Sequence, residues 1–312
     1  MPIPLALLID LALGDPPNRF HPTAWMGGLI AFLSRFRPHK NPTPAGERRT
    51  GAELLYGGLL MLVGLALAGG VGLGLAWLFA RLPLLLNWLL TALVLKTTFS
   101  LRGLDRAAGE VQTALESDNL SEARRLLSWH LVSRDTSQLS AGQMAAAAIE
   151  SVAENASDSL VAPLFFYALG GLPLALAYRF ANTADAMLGY HDAEREWFGK
   201  IPARLDDVLN FIPARLTGLL LVCAAFLSGN AGPNAWKITW RDARLTESPN
   251  AGIPMSAMAG ALSIELEKIG QYRLGAGLHA PQIADLRRAR RVYAVTATLA
   301  ALLFSALVFL VR

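Results

Sequence analysis

Long apolar runs dominate the order of hydrophobic and polar positions along this chain. Leu54 to Ala80 is uncharged for 27 residues, bounded by Glu53 and Arg81, where about 20 suffice to cross a bilayer core. Pro83 to Leu101 reads as a return span interrupted only by Lys96, close enough to the end to snorkel. Val292 to Val311 is uncharged for 20 residues and follows Arg287, Arg288, Arg290 and Arg291. Residues 211–228 make a fourth span, with Arg215 near one end, whereas Pro249, Gly252 and Pro254 make 248–264 a poor one. Within the first run Gly64, Ala68, Gly72 and Ala76 recur every fourth residue, a small-residue face for close helix packing. No alternating strand pattern of useful length occurs. The pattern predicts an all-α, polytopic integral membrane protein.

Two stretches depart from simple spans. Between 102 and 154 charges become frequent and apolar residues return at helical spacing (Leu115, Leu120, Ala123, Leu126, Leu127), which predicts a helical insertion. Its arginines, among them Arg102, Arg124 and Arg134, place it on the cytoplasmic side by the positive-inside rule. Residues 159–178 are uncharged but broken by Pro163, Gly170, Gly171 and Pro173. A straight crossing would put Arg179, Arg195, Lys200 and Arg204 on the far side, against that rule, so a re-entrant or broken helix is expected, lining a cavity.

Composition agrees: charged residues are 17% and hydrophobic residues 53% of 312, with mean hydropathy +0.37. These figures exclude disorder, collagen and a disulfide scaffold. The net charge of +4 is what cytoplasmic loops of a membrane protein supply, so no nucleic-acid partner is expected. The single Cys223 reads as a small hydrophobe. The N-terminal stretch has no basic region and contains Asp10, unlike a cleaved signal.

Phosphate-loop, dinucleotide, zinc-protease, serine-hydrolase and Cys-x-x-Cys signatures are absent. The polar residues gather beside the broken segment instead. Glu150, Glu154 and Asp158 fall at i, i+4 and i+8 of an otherwise Ala- and Val-rich helix, so three carboxylates share one face. They are either a solvated acidic face paired with arginines or a hard-oxygen site for Mg²⁺ or substrate. After the break come Arg179, Asn182, Thr183, Asp185, Gly189, Tyr190, His191 and Asp192, then Arg204, Asp206, Asp207, Asn210 and Arg215. Asp206-Asp207 reads either as a helix N-cap or as reactive carboxylates. Arg179, Arg204 and Arg215 are candidates for phosphate, since the planar fork grips oxyanions. Near the N-terminus, Asp10, Gly14-Asp15-Pro16 and His21-Pro22 lie between two short apolar runs; a turn and a hydrogen-bonded structural histidine are the plain alternatives.

Taken together these strings resemble the membrane-bound adenosylcobinamide-phosphate synthase family of cobalamin biosynthesis. The matching blocks are Asp10 with Gly14-Asp15-Pro16, His21-Pro22 and Gly27; Arg134-Asp135-Thr136-Ser137; Glu150 through Asn155 with Asp158 and Ala162-Pro163-Leu164; Asn182-Thr183 with Asp185, Met187 and Gly189-Tyr190; Phe198-Gly199; Arg204-Leu205-Asp206-Asp207 with Asn210 and Pro213-Ala214-Arg215; and Ser248-Pro249-Asn250 with Gly252. They run in family order over most of the chain, departing at Arg179, where Lys is expected, and at Ala186, where Ser is expected.

The resemblance implies a bacterial inner-membrane enzyme with its active site facing the cytoplasm. It would join the free carboxylate of adenosylcobyric acid to aminopropanol phosphate, using ATP with Mg²⁺, beside the lipid bilayer and other cobalamin-assembly enzymes. On that footing Glu150, Glu154 and Asp158 are expected to hold Mg²⁺. His21, Arg134, Asn155, Arg179, Asn182, Arg204, Asn210 and Arg215 would bind substrate or phosphate, and Asp185, Asp206 or Asp207 would bind or deprotonate the ammonium nucleophile. The competing expectations are a non-catalytic membrane sensor of the same superfamily and a transporter built on the broken helix. Against the second, no internal repeat with matched broken helices is present.

Overall fold

The computed structural model describes residues 1–38, 50–190 and 195–311. Its chain forms two compact units: Met1–Phe99 with Pro163–Leu209 and Leu307–Arg312, and Ser100–Ala162 with Asn210–Ala306. Among the described residues everything regular is helical except one small hairpin, so the protein is an all-α polytopic membrane fold. Four helical stretches are long and apolar enough to cross a membrane: Thr50–Phe79, Leu84–Glu116, Ala141–Leu188 and Ile283–Leu310. Lys200–Leu209 with Phe211–Leu227 makes a fifth if that bent pair counts as one span.

The first unit begins with two short apolar helices, α1 (Pro2–Leu13) and α2 (Pro22–Ser34), followed by α3 (Thr50–Phe79) and α4 (Leu84–Lys96). At about 1.5 Å per residue, α3 is about 45 Å long, more than a bilayer core. It exposes Leu55, Leu59, Leu62, Leu67, Leu73 and Trp77, a face no soluble monomer presents to water and a bilayer accepts. Its opposite face packs on α8 (Ala162–Leu188) around Leu60, Met61, Ala68, Leu176, Phe180 and Ala181. The small-residue stripe makes this approach possible. Gly64 lies flat against the Phe180 ring, and a Cβ on Gly72 would come within 2.6 Å of Pro173 Cα.

Helix α8 is broken where glycines and proline cluster. Gly170 is at φ −143° and Gly171 at φ +68°, ψ −154°, a conformation essentially reserved for glycine; Pro173 then contributes no N–H to the ladder. Helix α9 (Lys200–Leu209) completes this unit's helices and packs on α3. His191 and Asp192 lie outside the described residues.

In the second unit α5 (Leu101–Glu116) and α6 (Leu120–His130) are amphipathic and turn their apolar faces, Leu104, Ala108, Val111, Leu115, Ala123 and Leu127, inward. They pack on α7 (Ala141–Ala156), which starts with a capping box: the Ser140 hydroxyl accepts from Gln143 N–H and the Gln143 side chain accepts from Ser140 N–H. Helix α7 is core over most of its length, with Ala147, Ala148, Ile149, Val152 and Ala153 fully buried. The expected insertion boundary at residue 154 therefore falls inside a buried helix rather than at the end of a solvated one. A π-turn, Ser157–Val161, follows α7 and adds one residue to the local turn.

The rest of this unit comprises α10 (Phe211–Leu227), α11 (Gly232–Asp242), the buried α12 (Gly252–Leu262) and α13 (Ile283–Val311). The residues 248–264 that made a poor span thus supply a short interior helix. Between α12 and α13 runs an antiparallel hairpin, β1 (Leu266–Lys268) and β2 (Tyr272–Leu274), with Leu266 opposite Leu274 and Lys268 opposite Tyr272. Strands of three residues leave too little alternation to be seen in a sequence. Three of the four arginines ahead of the last apolar run are committed to acids: Arg287 to Glu116, Arg288 to Asp285 and Arg290 to Asp105, each at 2.7–2.8 Å.

Candidate functional site

The second unit carries the carboxylate cluster on α7. Glu150 is buried, and its Oε2 accepts from Arg134 Nη2 at 3.2 Å; its Oε1 has no hydrogen-bond partner. Arg134 arrives from the loop after α6, and Ser151, one residue along α7, ties that same loop down by donating to the Leu131 carbonyl at 2.9 Å. From the other side the hairpin brings Tyr272, which donates to Met255 Sδ at 3.7 Å. Burial, then the neighbouring Glu150 and Glu154 carboxylates, push the Tyr272 phenol well above its usual range, so it stays a neutral donor. Asn155 is absorbed by the helix junction: its Nδ2 donates to Ser151 O at 3.0 Å and its Oδ1 accepts from Ser159 at 2.9 Å.

The three carboxylates expected to hold Mg²⁺ stand in different surroundings. Glu150 is buried, Glu154 exposed, and Asp158 half-buried on the π-turn, where the helical register changes. Among the described residues no group of three or more His, Cys, Asp and Glu side chains is placed to hold a metal ion. What the cluster offers instead is one buried carboxylate oxygen beside a guanidinium and a phenol.

In the first unit, two chains of contact connect the expected residues. Arg179 Nη1 donates to Asn182 Oδ1 at 3.3 Å, and Asn182 Nδ2 donates to Asp206 Oδ1 at 3.4 Å, so an amide relays between a guanidinium on α8 and a buried carboxylate on α9. Arg204 pairs with Asp207 at 3.5 Å on the exposed side of α9, an arrangement worth little in water. The helix-cap reading of Asp206-Asp207 is corrected here: α9 runs from Lys200 to Leu209, which puts both acids at its C-terminal end. Asp185 likewise stands in the last turn of α8. Carboxylates at helix C-termini oppose the macrodipole, so none of the three is explained by helix stability.

The N-terminal block forms a further buried network in this unit. Lys96 is 3% exposed and Asp10 fully buried; Lys96 Nζ sits 2.6 Å from Asp15 Oδ1 and 3.5 Å from Asp10 Oδ1. The snorkelling expected of Lys96 is therefore wrong. Asp10 and Asp15, far away in sequence, give the lysine a partner inside the protein. His21 caps α2 by accepting from Thr23 N–H through Nδ1 at 3.2 Å, and its Nε2 faces Asp15 at 3.6 Å. Its place is that of a structural histidine joined to the network.

Two expected residues stand elsewhere in the second unit. Asn210 is buried directly ahead of α10. Arg215, on α10, donates from Nη1 to Asn250 Oδ1 at 2.9 Å and to the Phe211 carbonyl at 2.8 Å, and lines a cavity beside α11 with no other expected residue in its wall. Sequence reading missed Lys96 and Tyr272. The lysine looked like a snorkelling residue, and the tyrosine lies in a hairpin too short to announce itself.

Comparison with known proteins adds the family. The sequence profile described as CobD/Cbib protein matches residues 3–302. The cobalamin biosynthesis protein CobD of Dehalococcoides mccartyi is 42% identical over 283 residues, 87% of this chain and 85% of the relative. The probable cobalamin biosynthesis protein CobD of Methanothermobacter thermautotrophicus is 41% identical, covering 95% of both. CbiB of Salmonella typhi, also named a cobalamin biosynthesis protein, is 38% identical over 97% of this chain and 95% of its own. No solved structure matches. The chain belongs to the CobD/CbiB family of cobalamin-biosynthesis proteins.

Proposed function

We propose that this protein is the adenosylcobinamide-phosphate synthase of its cell, an ATP-dependent amide ligase in the inner membrane whose active site faces the cytoplasm. It joins the free carboxylate of adenosylcobyric acid to the amine of aminopropanol phosphate. The observation that carries the reading is the family match over residues 3–302, in a chain that keeps an arginine–carboxylate constellation in each of its two units.

A carboxylate resists attack by an amine until one of its oxygens becomes a leaving group, and phosphoryl transfer from ATP supplies one. Such transfer depends on positioning and charge neutralisation more than on covalent help from the protein. In this reading Arg134, held by Glu150, takes phosphate oxygens, and the neutral Tyr272 phenol donates to a substrate oxyanion. Glu150 Oε1 would hold a Mg²⁺ ion, which would neutralise phosphate charge on a bound nucleotide. The ammonium group must lose a proton before its nitrogen attacks, and a carboxylate serves as the acceptor. The C–N bond then forms as the C–O bond to phosphate breaks.

The test is purified protein in nanodiscs with ATP, Mg²⁺, adenosylcobyric acid and aminopropanol phosphate. The expected product has the summed mass of the two substrates less one water, with nucleotide cleaved in step. Absence of that product while the protein remains folded overturns the assignment.

A further inference from the structure

The second unit holds a cavity of about 640 Å³ whose wall is built from two helix faces. On α10 it is lined by Arg215, Gly218, Leu219 and Val222, and on α11 and its C-cap by Trp236, Thr239, Trp240 and Ala243, each set at the i, i+3, i+4, i+7 spacing of one face. The two helices pack together and are joined by only the four residues 228–231, the connection of antiparallel neighbours. The start of α10 therefore meets the end of α11. Arg215, Arg241 and Arg244 gather at that end, while Leu219, Val222 and Trp236 lie toward the other, about 10 Å further along α10.

The charge at the arginine end is not neutralised from within. Arg241 is consumed by Asp242, which accepts from Nε at 2.6 Å and from Nη2 at 2.8 Å. Arg215 has only neutral acceptors and the Phe211 ring, 3.5 Å from its guanidinium carbon. Neither Arg215 nor Arg244 makes an ion pair among the described residues. Two unneutralised guanidinium groups in one concave wall call for an anion. The far end calls for something else. Trp236 and Trp240 are exposed and edge-on to each other at 5.8 Å, and Leu219, Phe226 and Leu227 continue an exposed apolar surface along α10. Exposed tryptophans beside an apolar helix and cationic side chains are the signature of a membrane–water boundary.

We propose that this cavity binds an anionic phospholipid, with the phosphate of the headgroup on Arg215 and Arg244 and the acyl chain along Leu219, Val222 and Trp236. The gradient from guanidinium to hydrocarbon within one cavity, continued by the exposed Leu219, Phe226 and Leu227 along α10, matches an amphiphile; inorganic phosphate would leave the apolar end unfilled.

Tryptophan quenching by lipids brominated in the acyl chain tests this on the full chain in detergent. Brominated phosphatidylglycerol is expected to quench at lower concentration than brominated phosphatidylcholine. Arg244→Ala is expected to weaken the phosphatidylglycerol response roughly fivefold to tenfold, as loss of one guanidinium–phosphate contact should. The double variant Trp236→Phe/Trp240→Phe should abolish the difference between the two lipids, and native mass spectrometry should show phosphatidylglycerol retained by wild type and lost by Arg244→Ala. Equal quenching by the two lipids, or displacement of phosphatidylglycerol by ATP or inorganic phosphate at equal concentration, overturns the proposal. Arg244 and the tryptophans lie outside both arginine–carboxylate constellations, so amide synthesis reports separately on the ligase reading.

Discussion

Two buried cation–carboxylate clusters, one in each unit, are built to opposite rules. Around Lys96 the positive charge is closed in by two carboxylates, Asp10 and Asp15, and the lysine and Asp10 are almost without solvent contact. Around Glu150 the arrangement is open: one guanidinium serves one carboxylate oxygen, the other oxygen has no hydrogen-bond partner, and a neutral phenol and a second carboxylate stand near. A buried polar atom without a hydrogen bond costs free energy; Asp10 Oδ1 makes none either but faces the Lys96 ammonium at 3.5 Å, whereas Glu150 Oε1 has no ion pair of its own and is the oxygen that a ligand would complete. The closed cluster holds short segments together; the open one is where chemistry is expected.

The largest effect should come from breaking the closed cluster. Lys96→Met leaves the fully buried Asp10 without its cation, and loss of one partner of a buried pair costs about 3–5 kcal/mol. The variant should melt far below wild type in detergent, and Asp10→Asn on that background should restore part of the loss. A variant that melts with wild type would mean that Lys96 is not paired in the folded protein. The open cluster should respond in the other way. Glu150→Gln keeps the shape and most contacts, so its melting temperature should change little, while amide synthesis should fall roughly ten- to a hundredfold. A large drop in melting temperature with an undiminished rate per folded molecule would reverse the roles assigned to the two clusters. Tyr272→Phe removes one neutral hydroxyl from the open site. A net hydrogen bond is worth about 1 kcal/mol, which corresponds to a loss of about fivefold in rate. Since the phenol is held above its ordinary range, the wild-type rate should show no titration of this group near neutral pH.

How much of this could be read from the sequence follows from the range of each interaction. Uncharged runs report burial in lipid one residue at a time, so the stretches inside α3 and α13 are visible without knowing any neighbour. The break in α8 is equally local, because Gly171 needs a backbone conformation only glycine adopts. The carboxylates on α7 could be found by spacing, but spacing could not tell that Glu150 would be buried, Glu154 exposed and Asp158 carried onto a π-turn. Lys96 finds Asp15 across 81 positions, and Tyr272 reaches the α7 carboxylates through a hairpin of three-residue strands. Neither leaves a periodic trace. Asp206-Asp207 shows the remaining failure. The same two letters suit the start of one helix or the end of another, and only the fold sets the boundary between α9 and α10.

The smallest effect tests whether closure itself is the stabilising feature. Asp242 is a further buried acid and fully satisfied: Arg241 grips both of its oxygens, and Gly275 N–H donates to Oδ2 at 2.6 Å. Burial alone would push its carboxyl up, but these partners outweigh burial and hold it below the ordinary carboxylate range. A group whose folded-state pKa is depressed contributes stability above its unfolded pKa and loses it as the pH falls toward the folded value. Asp242→Asn should therefore melt below wild type at neutral pH, by the equivalent of about 1 kcal/mol. The gap should narrow once the pH drops below the usual titration range of aspartate, where the wild-type carboxyl takes up its proton. Parallel melting curves for the two proteins from neutral to acid pH are the measurement. A gap that stays constant with pH would mean that Asp242 acts through shape alone, and charge closure would then explain nothing at this position.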